Sequence, residues 1–308
     1  MPRLNRPRLA LALVAAQLAF AFLTPCSASP ADTWLLPAPA HATFGGDGMP
    51  IERSLRIEWV RYRNPLLERA AARFLDNLTR RTGIAFSGAD DPQRKTTARI
   101  DCQGSDPSFL TDRQDETYSL AVDRTGFLLK AAGPAGVLRG LATLLQLARG
   151  DAAGFEFRAV QIADRPRFAW RGIMIDVARH FIPVADIERQ MDAMEAVKLN
   201  VLHLHLSDNE GFRVESRIFP RLQQLGSGGQ FYSQSQIRAL IAYGRDRDIR
   251  IVPEFDVPGH SRSWVVGYPE LASGPGPFKL TSDIMSNYAA ETILDPTGRT
   301  MSPASGAP

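Results

Sequence analysis

Apolar positions along this chain change rhythm several times, and each rhythm predicts an element. Leu9 to Leu23 is a nearly unbroken apolar block. From Pro65 to Arg80, Leu66, Leu67, Ala70, Phe74, Leu75 and Leu78 recur at three- and four-residue steps, which predicts a helix stopped by Gly83. Ala98–Cys102 and Tyr118–Val122 alternate as strands do. Gly126 divides the latter from Phe127–Ala131, so that pair reads as a hairpin. Gly136–Arg149 predicts a second helix ended by Gly150. Trp34–Pro37 and Leu55–Val60 are further strand candidates, the first within a Pro-, Ala- and Gly-rich leader over residues 30–50. Asp115-Glu116 precedes a hairpin strand and reads as a solvated loop edge.

The pattern then becomes strand, helix, strand. Gly172–Val177 is a short apolar run containing Asp176. Pro183 opens a helix whose apolar face is Val184, Ile187, Met191, Met194 and Val197. Leu199–Leu206 reads as a buried strand, followed by a long loop over residues 207–232 containing Gly226-Ser227-Gly228-Gly229. Ser233 and Gln236 form a capping box for a helix to Arg247, with Ile237, Leu240 and Ile241 facing inward. Ile249–Asp256 is a third strand. Polar side chains gather past the same end of every strand: Asp176, Arg179 and His180; then Asp208, Asn209 and Glu210; then Glu254, Asp256 and His260. Repeated strand–helix steps of this kind predict a parallel sheet with its chemistry beyond the carboxyl ends. The expected fold class is α/β. A small N-terminal α+β domain over residues 32–163 leads through Asp164–Arg167 into an incomplete (β/α)8 TIM barrel over residues 167–297. About three of its eight βα units are present, and residues 298–308 form an irregular tail.

Charge and cysteine content narrow the function. The formal net charge is +3, from 36 basic and 33 acidic residues. Arg3, Arg6 and Arg8 precede the first acid, Asp32, so without that segment the charges balance and nucleic acid is not an expected partner. Those arginines, the Leu9–Leu23 block and the small residues Ser27-Ala28-Ser29 predict a secretory signal over residues 1–29, cleaved after Ala28. The expected location is periplasmic or extracellular, with no membrane span, because the apolar block is too short to cross a bilayer. Of the two cysteines, Cys26 and Cys102, cleavage leaves only Cys102, so no internal disulfide is expected.

Carboxylates, an arginine and a histidine at one barrel mouth suit a polyhydroxylated substrate, since arginine donates to hydroxyls and acids accept from them. The blocks WRGIMIDVARHF, NVLHLHLSDNEGFR and IVPEFDVPGH resemble successive motifs of family 20 glycoside hydrolases, the β-N-acetylhexosaminidases. DETYSLAVDRTGFLLKAAGPAGVLRGLATLLQL is similar to the α+β domain that precedes the barrel in that family. The resemblance covers roughly residues 33–297. It implies exo-hydrolysis of terminal N-acetylglucosamine or N-acetylgalactosamine from β-linked glycans by substrate-assisted retaining catalysis, without a cofactor. It also implies that Arg179 binds sugar hydroxyls and that Glu254 lies near the substrate. Asp208 and His260 are implied to support a catalytic glutamate. Asp176 reads equally as a structural acid. His203 and His205 read as packed, hydrogen-bonded barrel residues, Trp170 and Trp264 as core, and Asn209 stands where the family often has a second acid.

The family's catalytic Asp-Glu pair lies in a Gly-Gly-Asp-Glu-like block after the fourth strand, and these 308 residues contain no such block. Leu294-Asp295-Pro296-Thr297 resembles the approach to it, but Gly298–Pro308 turns to small residues and prolines. From Arg167 onward there are 142 residues, against about 250 in a typical barrel. The expectation is a truncated or frame-shifted chain that does not itself catalyse the reaction. Two other readings stand beside it. One is a non-catalytic sugar-binding or interaction fragment. The other is a metal-dependent hydrolase using His203-x-His205, which five histidines and three strands leave short of ligands.

Overall fold

Alternation of apolar and polar residues builds the first sheet of the computed structural model, which describes residues 34–86, 96–105, 110–111, 113–281 and 292–295. The expected signal segment and the tail over 298–308 lie outside the described residues. Strands β1 (His41–Phe44), β3 (Ile57–Trp59), β4 (Thr97–Cys102), β5 (Tyr118–Asp123), β6 (Gly126–Ala131) and β9 (Val160–Asp164) form one sheet in the order β1-β9-β5-β6-β4-β3. The expected hairpin is β5–β6, with Val122 opposite Phe127. Residues 34–38 carry bends and not the expected strand; the first pairing strand is β1, inside what reads as a leader.

Helix α1 (Pro65–Thr82) begins as its sequence dictates. Asn64 accepts the Leu67 N–H, Pro65 occupies the first turn, and Gly83 closes the helix at φ 72°, the left-handed region that glycine enters without steric cost. Helix α2 (Pro134–Leu147) is buried on nearly every face. A Cβ on Gly140 would lie 2.2 Å from Leu129 of β6, and one on Gly136 2.4 Å from the Thr117 carbonyl. Those glycines let the helix press onto the sheet. The helix ends earlier than its periodicity suggests, because Ala148–Asp151 (β7) turns into a hairpin with Gly154–Phe157 (β8), and β2 (Met49–Pro50) adds to it.

The second sheet is parallel. Strand β10 (Gly172–Asp176), helix α3 (Val184–Ala196), strand β11 (Val201–Asp208), helix α5 (Gln234–Arg245) and strand β13 (Arg250–Phe255) make two consecutive βαβ steps, with β11 between its neighbours. Pro183 sits at the N-cap of α3. Its apolar face buries Ile187, Met191 and Met194 against Leu202, Leu204 and Leu206 of β11, with Leu240 of α5 and Ile249 in the same cluster. Ser233 and Gln236 make the reciprocal capping box that opens α5. The long loop after β11 is structured: it holds β12 (Gly211–Phe212) and α4 (Arg221–Gly226), and a bridge joins Val214 to Tyr232. Helix α6 (Arg262–Gly267) follows β13. The opposite face of the parallel sheet is open among the described residues: Met174 is 55% exposed, and Trp170, expected in the core, is 51% exposed beneath the Arg250 guanidinium. Trp264 packs edge-on against Phe212.

Charges join the two sheets. Glu116, expected in a solvated loop, is buried. It accepts from Arg139 Nε of α2 at 2.5 Å, from both terminal nitrogens of Arg171, and from Asn200 Nδ2 at 3.2 Å. Arg139 also donates to the Asp248 carboxylate at 2.5 Å and to its carbonyl at 3.0 Å. Beside them, Lys198 Nζ donates to Asp164 at 3.0 Å and to the Tyr118 hydroxyl at 2.9 Å. An adjacent acidic pair looks solvated from sequence alone; its partners lie 23 and 55 positions away. Burial pushes the Glu116 carboxyl up, but the charges and hydrogen bonds of Arg139 and Arg171 outweigh it and hold the group below the usual carboxylate range. These ion pairs tie the α+β sheet to the parallel sheet.

Candidate functional site at the carboxyl ends of the parallel strands

Register decides which side chains meet. Asp176 of β10 stands beside His205 of β11, and His205 beside Glu254 of β13, so all three project from one face of the sheet. Strand β11 runs two residues past its apolar stretch because β12 pairs with Ser207 and Asp208. Asp208 is therefore a strand residue held in place, not a loose loop cap.

Asp208 is the hub. Its side chain is 1% exposed, and its Oδ2 accepts from Arg179 Nη2 at 2.6 Å. The same oxygen lies 2.8 Å from His205 Nε2, while Oδ1 accepts the Asn209 N–H at 2.6 Å and lies 3.1 Å from His260 Nδ1. His260 reaches it from a left-handed backbone conformation, φ 54°, uncommon for a residue with a Cβ. The turn is pinned by the Ser261 hydroxyl donating to the Pro258 carbonyl at 2.6 Å and by the Arg262 N–H donating to Asn209 Oδ1 at 3.1 Å. Asn209 thus has a structural task, holding the turn after β13.

Arg179 is fixed from both sides. Its backbone N–H donates to Asp176 Oδ1 at 2.9 Å, its guanidinium pairs with Asp176 and Asp208, and its side chain remains 45% exposed at the mouth. Burial pushes the Asp176 carboxyl up, yet hydrogen bonds from Arg179 and the arginine's charge prevail, so it sits below the usual carboxylate range. Asp176 thereby orients the arginine.

His205 links the two halves of the site. Its Nε2 faces Asp208 and its Nδ1 faces Glu254 Oε2, each at 2.8 Å. A neutral imidazole donates from one nitrogen only, whereas the doubly protonated ring donates to both carboxylates. Burial alone draws the ring's pKa down; the hydrogen bonds to Asp208 and Glu254, with the nearby charges of Asp176 and Asp208, outweigh burial and hold it above the usual histidine range. His203 Nε2 also lies 3.0 Å from Glu254 Oε2 and is one-third exposed.

The structure therefore brings Arg179, Asp208 and His260 into direct contact and ties Glu254 to them through His205. Sequence reasoning read His205 as a packed, hydrogen-bonded barrel residue and assigned no role to Asp256, whose carboxylate joins this cluster. One signal was available: His203-x-His205 shares a strand face, and the next parallel strand closes on the acids Glu254 and Asp256.

Comparisons with known proteins identify the family. The model of the glycosyl hydrolase family 20 catalytic domain matches residues 168–302, and that of the family's domain 2 matches residues 32–165. The beta-hexosaminidase subunit beta of Mus musculus is 42% identical over 195 residues, 62% of this chain and 36% of its own length. A beta-hexosaminidase of Vibrio furnissii is 38% identical over 171 residues, 50% of this chain and 28% of its own. The chain thus spans about a third of the length of the curated relatives it matches. Among solved structures, the Flavobacterium johnsoniae chitobiase superposes with a TM-score of 0.73 at 35% identity, covering 80% of this chain and 38% of that one. The Streptomyces coelicolor A3(2) beta-N-acetylhexosaminidase gives 0.71 at 28% identity, covering 85% and 53%. The fold is accordingly an α+β domain followed by part of a TIM barrel, and among the described residues no helix is long and apolar enough to cross a membrane. Matched along nearly its whole length by two models of one family, with domain 2 ahead of the catalytic domain, the chain belongs to glycosyl hydrolase family 20.

Proposed function

We propose that this mouth is the sugar-binding part of an exo-β-N-acetylhexosaminidase acting on terminal N-acetylglucosamine or N-acetylgalactosamine of β-linked glycans. The observation that carries the reading is the convergence of Arg179, Asp208, His260 and, through His205, Glu254 at the strand ends of a family 20 chain. A related Vibrio harveyi enzyme, 28% identical with a TM-score of 0.68, is known in complex with N-acetylglucosamine. Arg179, oriented by Asp176 and still open to solvent, donates to sugar hydroxyls. Glu254 accepts from them. Asp208 and His260 hold the polar frame against which a catalytic glutamate is positioned.

The 308 residues themselves contain no Gly-Gly-Asp-Glu-like block, so this chain alone is expected to bind the sugar without turning it over. General acid–base catalysis by itself contributes ~10²–10⁴-fold, and substrate assistance needs an acid to orient the acetamide as well. Calorimetry with N-acetylglucosamine and an assay on a chromogenic N-acetylglucosaminide, both on the purified 308-residue chain, test the two statements separately. Heat of binding with no released chromophore is expected. Turnover overturns the claim of inactivity, and failure to bind overturns the sugar-site reading. Export with cleavage after Ala28 completes the proposal; the mature protein's N-terminal sequence is expected to begin at Ser29, and a retained leader sinks it.

A further inference from the structure

The residues at the end of β13 combine into a second kind of site. Glu254 lies on β13 and Asp256 just past its end, and the register sets His205 directly beside Glu254. One imidazole nitrogen and one oxygen from each carboxylate all lie within 4.8 Å of one another. A tetrahedral zinc ion with ligands at about 2.0–2.2 Å holds its donor atoms roughly 3.4 Å apart, so small side-chain rotations suffice to close the set on one ion.

Two further features favour a cation here. The other nitrogen of the buried His205 ring lies 2.8 Å from Asp208 Oδ2, the carboxylate–histidine arrangement that fixes the tautomer and orientation of a metal-binding imidazole. Asp208, Asp256 and His260 form a second group within 4.8 Å that shares Asp256. The carboxylates of Asp176, Asp208, Glu254 and Asp256 thus gather at these strand ends, the first two paired with Arg179.

We propose that His205, Glu254 and Asp256 form a binding site for a divalent cation of the zinc class, with Asp208 orienting the imidazole. One nitrogen and two carboxylate oxygens favour zinc over magnesium, which prefers an all-oxygen octahedron. The remaining coordination positions face the open mouth and take water. The site needs no bound sugar, and its test is independent of glycan chemistry.

Zinc chloride titrated into the tag-free 308-residue chain by calorimetry, at mildly alkaline pH so that protons are readily displaced, is expected to give one site per chain. Magnesium chloride is expected to give none at the same concentrations. Glu254→Gln and Asp256→Asn, both at partly exposed positions, are each expected to weaken zinc at least tenfold, with unchanged circular dichroism reporting that the fold is kept. No zinc binding overturns the proposal. So does binding that either variant leaves within tenfold of the parent chain, because the ion then sits elsewhere.

Discussion

A buried carboxylate with four neighbours sets the behaviour of the individual residues. Asp208 holds Arg179 on one oxygen and His260 on the other, so Arg179 enters the mouth already oriented. Arg179→Lys keeps the charge but loses the planar fork that spans Asp176, Asp208 and a ligand together. Affinity for N-acetylglucosamine is expected to fall at least about tenfold, or ~1.4 kcal/mol, in a calorimetric titration. His205 gives a prediction in pH. Its folded-state pKa is raised, so its contribution to stability is complete below the unfolded value of about 6.5 and is lost as pH rises through the folded value. Urea midpoints of the parent chain and of His205→Gln are therefore expected to differ most in mild acid and to converge as the solution turns alkaline. A gap that widens with pH would contradict the assignment of the ring as a proton-bearing bridge.

At the scale of the elements, local chemistry predicted best where a helix carries its own start and stop. The Asn64 cap and Gly83 stop of α1 and the Ser233–Gln236 box of α5 are written within a few residues. Ser233→Ala removes the acceptor for the Gln236 N–H and is expected to lower stability by about 1 kcal/mol in chemical denaturation. The parallel strands were legible as well, because apolar runs ending in acids leave few other readings. What escaped was decided by partners distant in sequence. The hairpin β7–β8 follows α2 without a break, so helical periodicity ran on into it. Strand β12 is two residues long and exists because Ser207 and Asp208 pair with it. Of the site, Arg179, Asp208, Glu254 and His260 could be named from motif resemblance. The bridging task of His205 needed the register between β11 and β13, which no single strand encodes.

For the whole molecule, the Glu116–Arg139–Asp248 network binds the α+β sheet to the parallel sheet at the ends of the strands away from the mouth: Asp248 precedes β13, as Arg171 precedes β10. Replacing Arg139 with Met leaves two buried carboxylates short of a partner, a change that costs about 3–5 kcal/mol when a buried pair is broken. In the parent chain, tryptophan fluorescence and far-ultraviolet circular dichroism are expected to report one coincident unfolding transition. In Arg139→Met the transition is expected at lower denaturant, with the two probes separating. Coincident probes and an unchanged midpoint would show that the two sheets are coupled by packing alone.

The same network has a consequence for how the chain is made. Glu116 leaves the ribosome first, Arg139 next, Arg171 after that and Asp248 last of these four. At about 5–20 residues per second, the network waits on the order of ten seconds for its last member. Until then Glu116 has reason to stay in water, and the two sheets have no reason to close. Synthesis of the third parallel strand follows directly on Asp248, so the lock between the halves completes just as the strand bearing Glu254 arrives.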